Sequence, residues 1–134
     1  MSRKAILAAV MMFSATAMAG TDHYLLQDGN HVQHLRIHNQ GKEVHVSMDV
    51  DFEPNGAEEE NFKSCSHEIA GEAHRVADNE LVVKRQADGE AHYCQLHIQL
   101  NGDAAVVEQS KDCVYFLGSF CRFDTQGQSL KRVH

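Results

Sequence analysis

Motifs that announce catalysis are missing from this chain. It has no Gly-x-Ser-x-Gly elbow, no His-Glu-x-x-His and no glycine-rich phosphate loop. Acids and histidines are plentiful but scattered, so no catalytic residue is assigned and the expectation is a protein that is not an enzyme. Proline occurs once, at Pro54, a residue that a central strand could not hold. No Cys-x-x-Cys pair exists, and the cysteine spacings of 29, 19 and 8 do not fit the common zinc frameworks. Basic residues are in deficit, 12 against 19 acidic. A surface of that sign repels nucleic acid and anionic lipid, because binding there depends on Lys and Arg neutralising phosphates.

Long apolar runs are also lacking. The longest, Ala5 to Phe13, is too short for a bilayer, which takes about 20 apolar residues. It follows the basic start Ser2-Arg3-Lys4 and precedes the small-x-small site Ala17-Met18-Ala19, the three-part pattern of a secretory signal peptide. Residues 1–19 are therefore expected to be removed, leaving one β-domain over residues 20–134, periplasmic or secreted, with no membrane span. Arg3 and Lys4 leave with the signal, so 10 basic residues face 19 acidic ones, a net −9. Such a surface would attract a cationic protein partner.

All four cysteines, Cys65, Cys94, Cys113 and Cys121, lie beyond the cleavage site. An even number in an exported chain reads as two disulfides, since that compartment is oxidising. Cys113 and Cys121 are close enough to be joined across one hairpin, and Cys65–Cys94 then follows by elimination.

What is present is strand periodicity. Glu43 to Phe52 is the longest alternation, with Val44, Val46, Met48, Val50 and Phe52 on one face. Leu35 and Ile37 share a face within Val32 to His38, and Leu96, Ile98 and Leu100 continue from Cys94. Shorter strands are expected at Tyr24 to Leu26, Cys65 to Val76, Leu81 to Gln86, Ala104 to Glu108 and Leu130 to Val133. Turns centred on Gln40-Gly41 and Asp88-Gly89 would set Ile37 opposite Val44, Leu35 opposite Val46, Val83 opposite Cys94 and Leu81 opposite Leu96. The fold class is all-β: about eight antiparallel strands in a meander, a small barrel or sandwich, with two disulfides and no helix after the signal. The core should hold Leu35, Ile37, Val44, Val46, Met48, Val50, Leu81, Val83, Leu96, Ile98 and Leu100.

Ten histidines raise the question of a metal. His34 and His38 share a face, but four residues along a strand is about 13 Å, too far for one ion. With the register above, Arg36 meets His45 and Glu43 meets His38, so no two histidines are opposed, and only diagonal pairs such as His38 with His45 remain. No metal ligand and no cofactor are assigned. Asp49-Val-Asp51-Phe-Glu53 has the acidic spacing of a calcium loop, but Pro54 stands where an EF-hand needs glycine. Tyr115, Phe116 and Phe120, in an aromatic run between Cys113 and Cys121, are the candidate partner-binding residues. Aromatics anchor interfaces, and a pinned loop has little entropy left to lose. The same run could instead close the end of the core.

The run Cys94-x-Leu-x-Ile-x-Leu-x-Gly, followed by Cys113, Gly118 and Cys121-x-Phe123, resembles the cysteine-framed β-domains of small periplasmic proteins grouped around bacterial lysozyme inhibitors. The resemblance covers about the last third of the mature chain and agrees with the Cys65–Cys94 and Cys113–Cys121 pairing. It implies a β-fold and inhibition by a loop inserted into the lysozyme cleft. The Ser-Gly-x-x-Tyr motif that several of those families carry is absent here, so the fold carries over and the inhibitory residues do not. The expected function is thus an exported binding protein, a lysozyme-inhibitor-like or immunity-type partner of a cell-wall hydrolase. The alternative is a periplasmic metal or small-ligand binder using its surface histidines, and an enzyme with a dispersed site comes third.

Overall fold

Residues 20–53, 64–86, 91–117 and 121–133 are described by the computed structural model. They form eight antiparallel strands that follow one another, in chain order, around a closed barrel. The strands are β1 (Gly20–Asp28), β2 (His31–Gln40), β3 (Glu43–Phe52), β4 (Cys65–Ala77), β5 (Glu80–Gln86), β6 (Tyr93–Asn101), β7 (Ala104–Gln109) and β8 (Leu130–Val133). The expected all-β meander of eight strands is borne out, and of the two architectures it is the barrel. Closure pairs β8 with β1, so the sheet has no terminal edge strand among the described residues. The expected cleavage site, the acidic run Glu58 to Glu60 and the Asp88-Gly89 turn lie outside the described residues. Among the described residues no helix is long and apolar enough to cross a membrane.

Alternation decides which side chains enter the barrel. Leu35, Ile37, Val46, Met48, Val50, Leu81, Val83, Leu96 and Ile98 are buried as expected, and Val44 with them, while Leu100 is only partly buried against the cluster. Tyr24, Ile69, Ala105, Val107, Phe123 and Leu130 complete the core.

The register differs from the expectation by two residues at two hairpins. Ile37 pairs with Val46 and Leu35 with Met48, because the β2–β3 turn is Gly41-Lys42. Gly41 has φ +64° while Lys42 does not have a positive φ. A two-residue turn of type II′ wants glycine at its first central position, which moves the turn one residue along and the pairing by two. Gly29 and Gly102 head the β1–β2 and β6–β7 turns in the same way. At β5–β6, Leu81 pairs with Ile98 and Val83 with Leu96, again two residues from the expected register. A slip of two preserves the face of every side chain, and this is why the core survives the error.

Disulfide connectivity is a second correction. The bridges are Cys65–Cys121 and Cys94–Cys113, not Cys65–Cys94 and Cys113–Cys121. After β7, the Ser110 amide still donates to the Gln95 carbonyl at 2.9 Å, so the chain leaves the ladder beside Cys94. It then makes a 3-10 turn (Lys111–Cys113) and a short helical turn, α1 (Val114–Leu117), where a loop was expected. The turn brings the Cys113 Cα within 4.3 Å of Cys94 and takes up the segment that a local Cys113–Cys121 hairpin would have needed. Cys121 returns instead beside Cys65 at the head of β4, Cα to Cα 6.1 Å.

The segment 121–125 then fills the wall where β7 and β8 share only two register pairs. Thr125 donates its amide to the Val107 carbonyl at 2.9 Å, and the Gln109 side-chain oxygen accepts from the amides of Phe123 and Asp124 at 2.7 and 3.1 Å. From inside the barrel, the fully buried Gln33 donates to the carbonyls of Arg122 and Asp124 at 3.0 and 3.1 Å. Phe123 is thereby held in the core. At the opposite end, Arg132 of β8 bonds Asp22 of β1 and, at 3.3 Å, Asp103 of the β6–β7 turn, closing the seam by charge. Hydrogen bonding to Asp22 raises the Arg132 pKa, and burial raises that of Tyr24 beneath it.

Candidate functional site

Two surfaces gather chemistry-bearing side chains. The first is the barrel end where β6 begins. Tyr93 opens β6 pointing outward, and Cys94, the next residue, points inward to its bridge with Cys113. That bridge fastens α1 against the barrel, with Leu117 buried and Val114 and Tyr115 exposed at 52% and 54%. Tyr93 is 45% exposed and carries the Lys84 ammonium 4.6 Å from its ring centre. The Tyr115 ring stacks on His92, centroids 3.8 Å apart and planes 7° from parallel, and His92 lies 3.3 Å from an Asp112 oxygen. Three large apolar side chains therefore stand in solvent around one bridge.

Of the three expected partner-binding residues, Tyr115 is presented to solvent rather than closing the core. The Phe116 side chain and all of Phe120 lie outside the described residues. Tyr93, Val114 and His92 were not foreseen. Their only signal in the sequence was adjacency to Cys94 and Cys113, and it becomes readable once those two are known to be joined.

The second surface is the outer wall of β1–β4. Register sets its rows: Thr21, His38, His45 and Glu72; then His23, Arg36, Ser47 and Ala70; then Leu25, His34, Asp49 and Glu68. His38 is directly opposite His45, which corrects the expectation that no two histidines are opposed. The His23 Nε2 and His34 Nδ1 atoms are 2.9 Å apart across β1–β2. Their ring centroids are 5.1 Å apart, close to the greatest distance that nitrogen separation allows, with the planes 26° apart. The rings thus meet edge to edge, one nitrogen aimed at the other. That is the geometry of a shared proton and not of two lone pairs converging on a metal.

Arg36 donates to Asp49 at 2.8 Å, and Ser47 to Glu68 at 2.9 Å. Beside these pairs lies an open groove of about 460 Å³ lined by His34, Arg36, Asp49, Asp51, His67 and Glu68 among others. Arg36 and Asp49 satisfy one another there, while the second oxygen of Asp49 is buried without a partner among the described residues. Among the described residues no group of three or more His, Cys, Asp or Glu side chains is placed to hold a metal ion.

Burial lowers the His23 pKa, helped by the Arg36 guanidinium, by His34 and against a smaller pull from Asp49. On the inner face of β2, His31 is 6% exposed, its Nε2 has no partner among the described residues, and its ring lies 6.0 Å from that of Phe52. Burial lowers its pKa as well, reinforced by Arg122 and opposed by Asp28.

Fold and bridges define the class: a small, disulfide-braced, closed β-barrel of eight strands, suited to an oxidising compartment. Comparison of the chain with protein-family models, with curated proteins and with solved structures returned no match.

Proposed function

We propose that the protein is an exported binding protein, a lysozyme-inhibitor-like or immunity-type partner of a cell-wall hydrolase. A cationic partner docks on the barrel end that carries Tyr115. The observation that carries this reading is a half-exposed tyrosine fixed in place by a stacked His92 and a turn bridged to β6. A rigid exposed aromatic loses little entropy on binding and supplies a large contact area, the two properties of an interface anchor. The net −9 charge expected of the processed chain speeds encounter with a cationic protein. The histidine-wall alternative has weaker support, since the facing His23 and His34 nitrogens are aimed at each other and no group of three or more ligand side chains converges among the described residues.

The test is turbidity clearing of a cell-wall suspension by lysozymes of several types, with and without the purified oxidised protein. Protection against at least one lysozyme, lost in Tyr115→Ala at an unchanged thermal midpoint, is the expected result. No protection against any lysozyme, together with a tight calorimetric titration by zinc or nickel, would replace this reading with the ligand-binding one.

A further inference from the structure

The chain has 3 tyrosines, and two of them already carry a cation. The Lys84 ammonium lies 4.6 Å from the ring centre of Tyr93, and the Arg132 guanidinium carbon lies 5.8 Å from that of Tyr24. Both distances fall within the roughly 6 Å over which the negative face of an aromatic ring attracts a positive group. Tyr115 is the exception. One face of its ring is taken by His92, 3.8 Å away and nearly parallel, yet the residue is 54% exposed. With one face covered, that exposure has to come from the other face and the rim. We propose that the open face of Tyr115 receives an arginine side chain of the partner, stacked on the ring as His92 is stacked beneath it. The inference rests on the binding reading given above and names the chemical group by which the partner is held.

The chemistry of the face selects its occupant. An anionic side chain would meet the negative face of the ring and the net −9 surface expected of the processed chain, so it is disfavoured twice. A purely apolar side chain would cover the ring but give nothing to the carboxylate at the rim of the stack. That carboxylate is Asp112, on the same turn as Tyr115, half exposed and 3.3 Å from the His92 Nδ1 atom. Lysine and arginine both bring a positive charge. The guanidinium is planar and more weakly hydrated than an ammonium, so it can lie flat on a ring while its N–H groups turn toward a carboxylate. Its apolar stem can then cover Val114, which is 52% exposed next to Tyr115.

The protein's own cations leave the face open. Lys84 is engaged on Tyr93, and among the described residues neither Lys84 nor the exposed Lys111 lies over the Tyr115 ring. Lys111 and Asp112 are adjacent and offset one another at a distance, so the long-range pull on a cation comes from the whole surface and the short-range hold from the ring. The platform is rigid as well. Cys113, two residues before Tyr115, is tied to Cys94 of β6, so little entropy remains to be lost when the arginine docks.

The test is nuclear magnetic resonance on the oxidised protein titrated with acetyl-arginine amide to about 0.1 M, where a contact of this strength is populated. Acetyl-citrulline amide, the uncharged analogue, is run beside it at matched ionic strength. The arginine compound should shift the ring signals of Tyr115 and leave those of Tyr93, already paired with Lys84, nearly in place. Equal shifts at both tyrosines, equal shifts with citrulline, or none at Tyr115 would overturn the inference. A second arm uses a lysozyme that the protein inhibits. Tyr115→Phe, which keeps the ring face, should bind it within about twofold of the unaltered protein. Tyr115→Leu, which keeps apolar bulk but no ring, should bind about three- to thirtyfold more weakly. If Tyr115→Leu binds as tightly as Tyr115→Phe, the arginine contact is wrong and the binding reading still stands. Arginine shifts confined to Tyr115, with no lysozyme inhibited, would uphold the contact and remove the lysozyme reading.

Discussion

Removing the bridge between Cys65 and Cys121 isolates the contribution of the disulfide frame. The two bridges are nested, 65 to 121 enclosing 94 to 113, with separations of 56 and 19 residues. Because the inner bridge already short-circuits its own loop, the outer one closes an effective loop of about 37 residues. By chain entropy it stabilises by about 3.8 kcal/mol, and the inner bridge by about 3.2 kcal/mol. Each buried sulfur lost on changing Cys to Ala adds about 0.5–1.5 kcal/mol, as for deleting a methyl group. Cys65→Ala with Cys121→Ala should therefore cost about 4–6 kcal/mol, a large share of the roughly 5–15 kcal/mol typical of a domain. Equilibrium unfolding in urea measures the loss, and peptide mapping without reductant tests the connectivity beneath it. Partial reduction should open Cys65–Cys121 first, because Cys65 is partly exposed whereas Cys94 and Cys113 are fully buried. A map joining Cys65 to Cys94, or a loss below about 1 kcal/mol, would refute the reasoning.

The other expectations concern single side chains. Phe123→Ala should destabilise by about 3–5 kcal/mol in urea, since the ring is fully buried and holds the 121–125 segment in the wall. Ile98→Asp should abolish the sigmoidal thermal transition by burying an unpaired charge, while His45→Asp, on the wet face, should leave it nearly in place. His97→Asp should lower the thermal midpoint more than His45→Asp does, because it exchanges a bond to the diagonal Glu80 for a like charge near it and opposite Glu108. Tyr115→Ala should weaken complex formation measured by calorimetry with the protected lysozyme and leave the midpoint almost unshifted, its ring being half in solvent.

Local chemistry made the barrel legible before any coordinates. Alternation at Val44 to Phe52 and Cys94 to Leu100 assigns each side chain to a face, and that assignment needs only the period of two of an extended chain. Turn residues at 28–30, 40–42 and 101–103 mark where the chain reverses. They did not decide the register, because a glycine's rank within its turn depends on φ, and only the folded backbone shows that Gly41 comes first. The disulfides were countable but not connectable. Pairing depends on which cysteines the closed barrel brings to one end, and the helical turn at 114–117 overrides closeness in sequence. The surfaces depend on the same long-range facts. Tyr93 joins Tyr115 around a bridge between residues 19 apart, and His23 meets His34 only because β1 lies in one register on β2. Residue types and their faces are thus determined along the chain, whereas which of them meet is decided by closure of the wall.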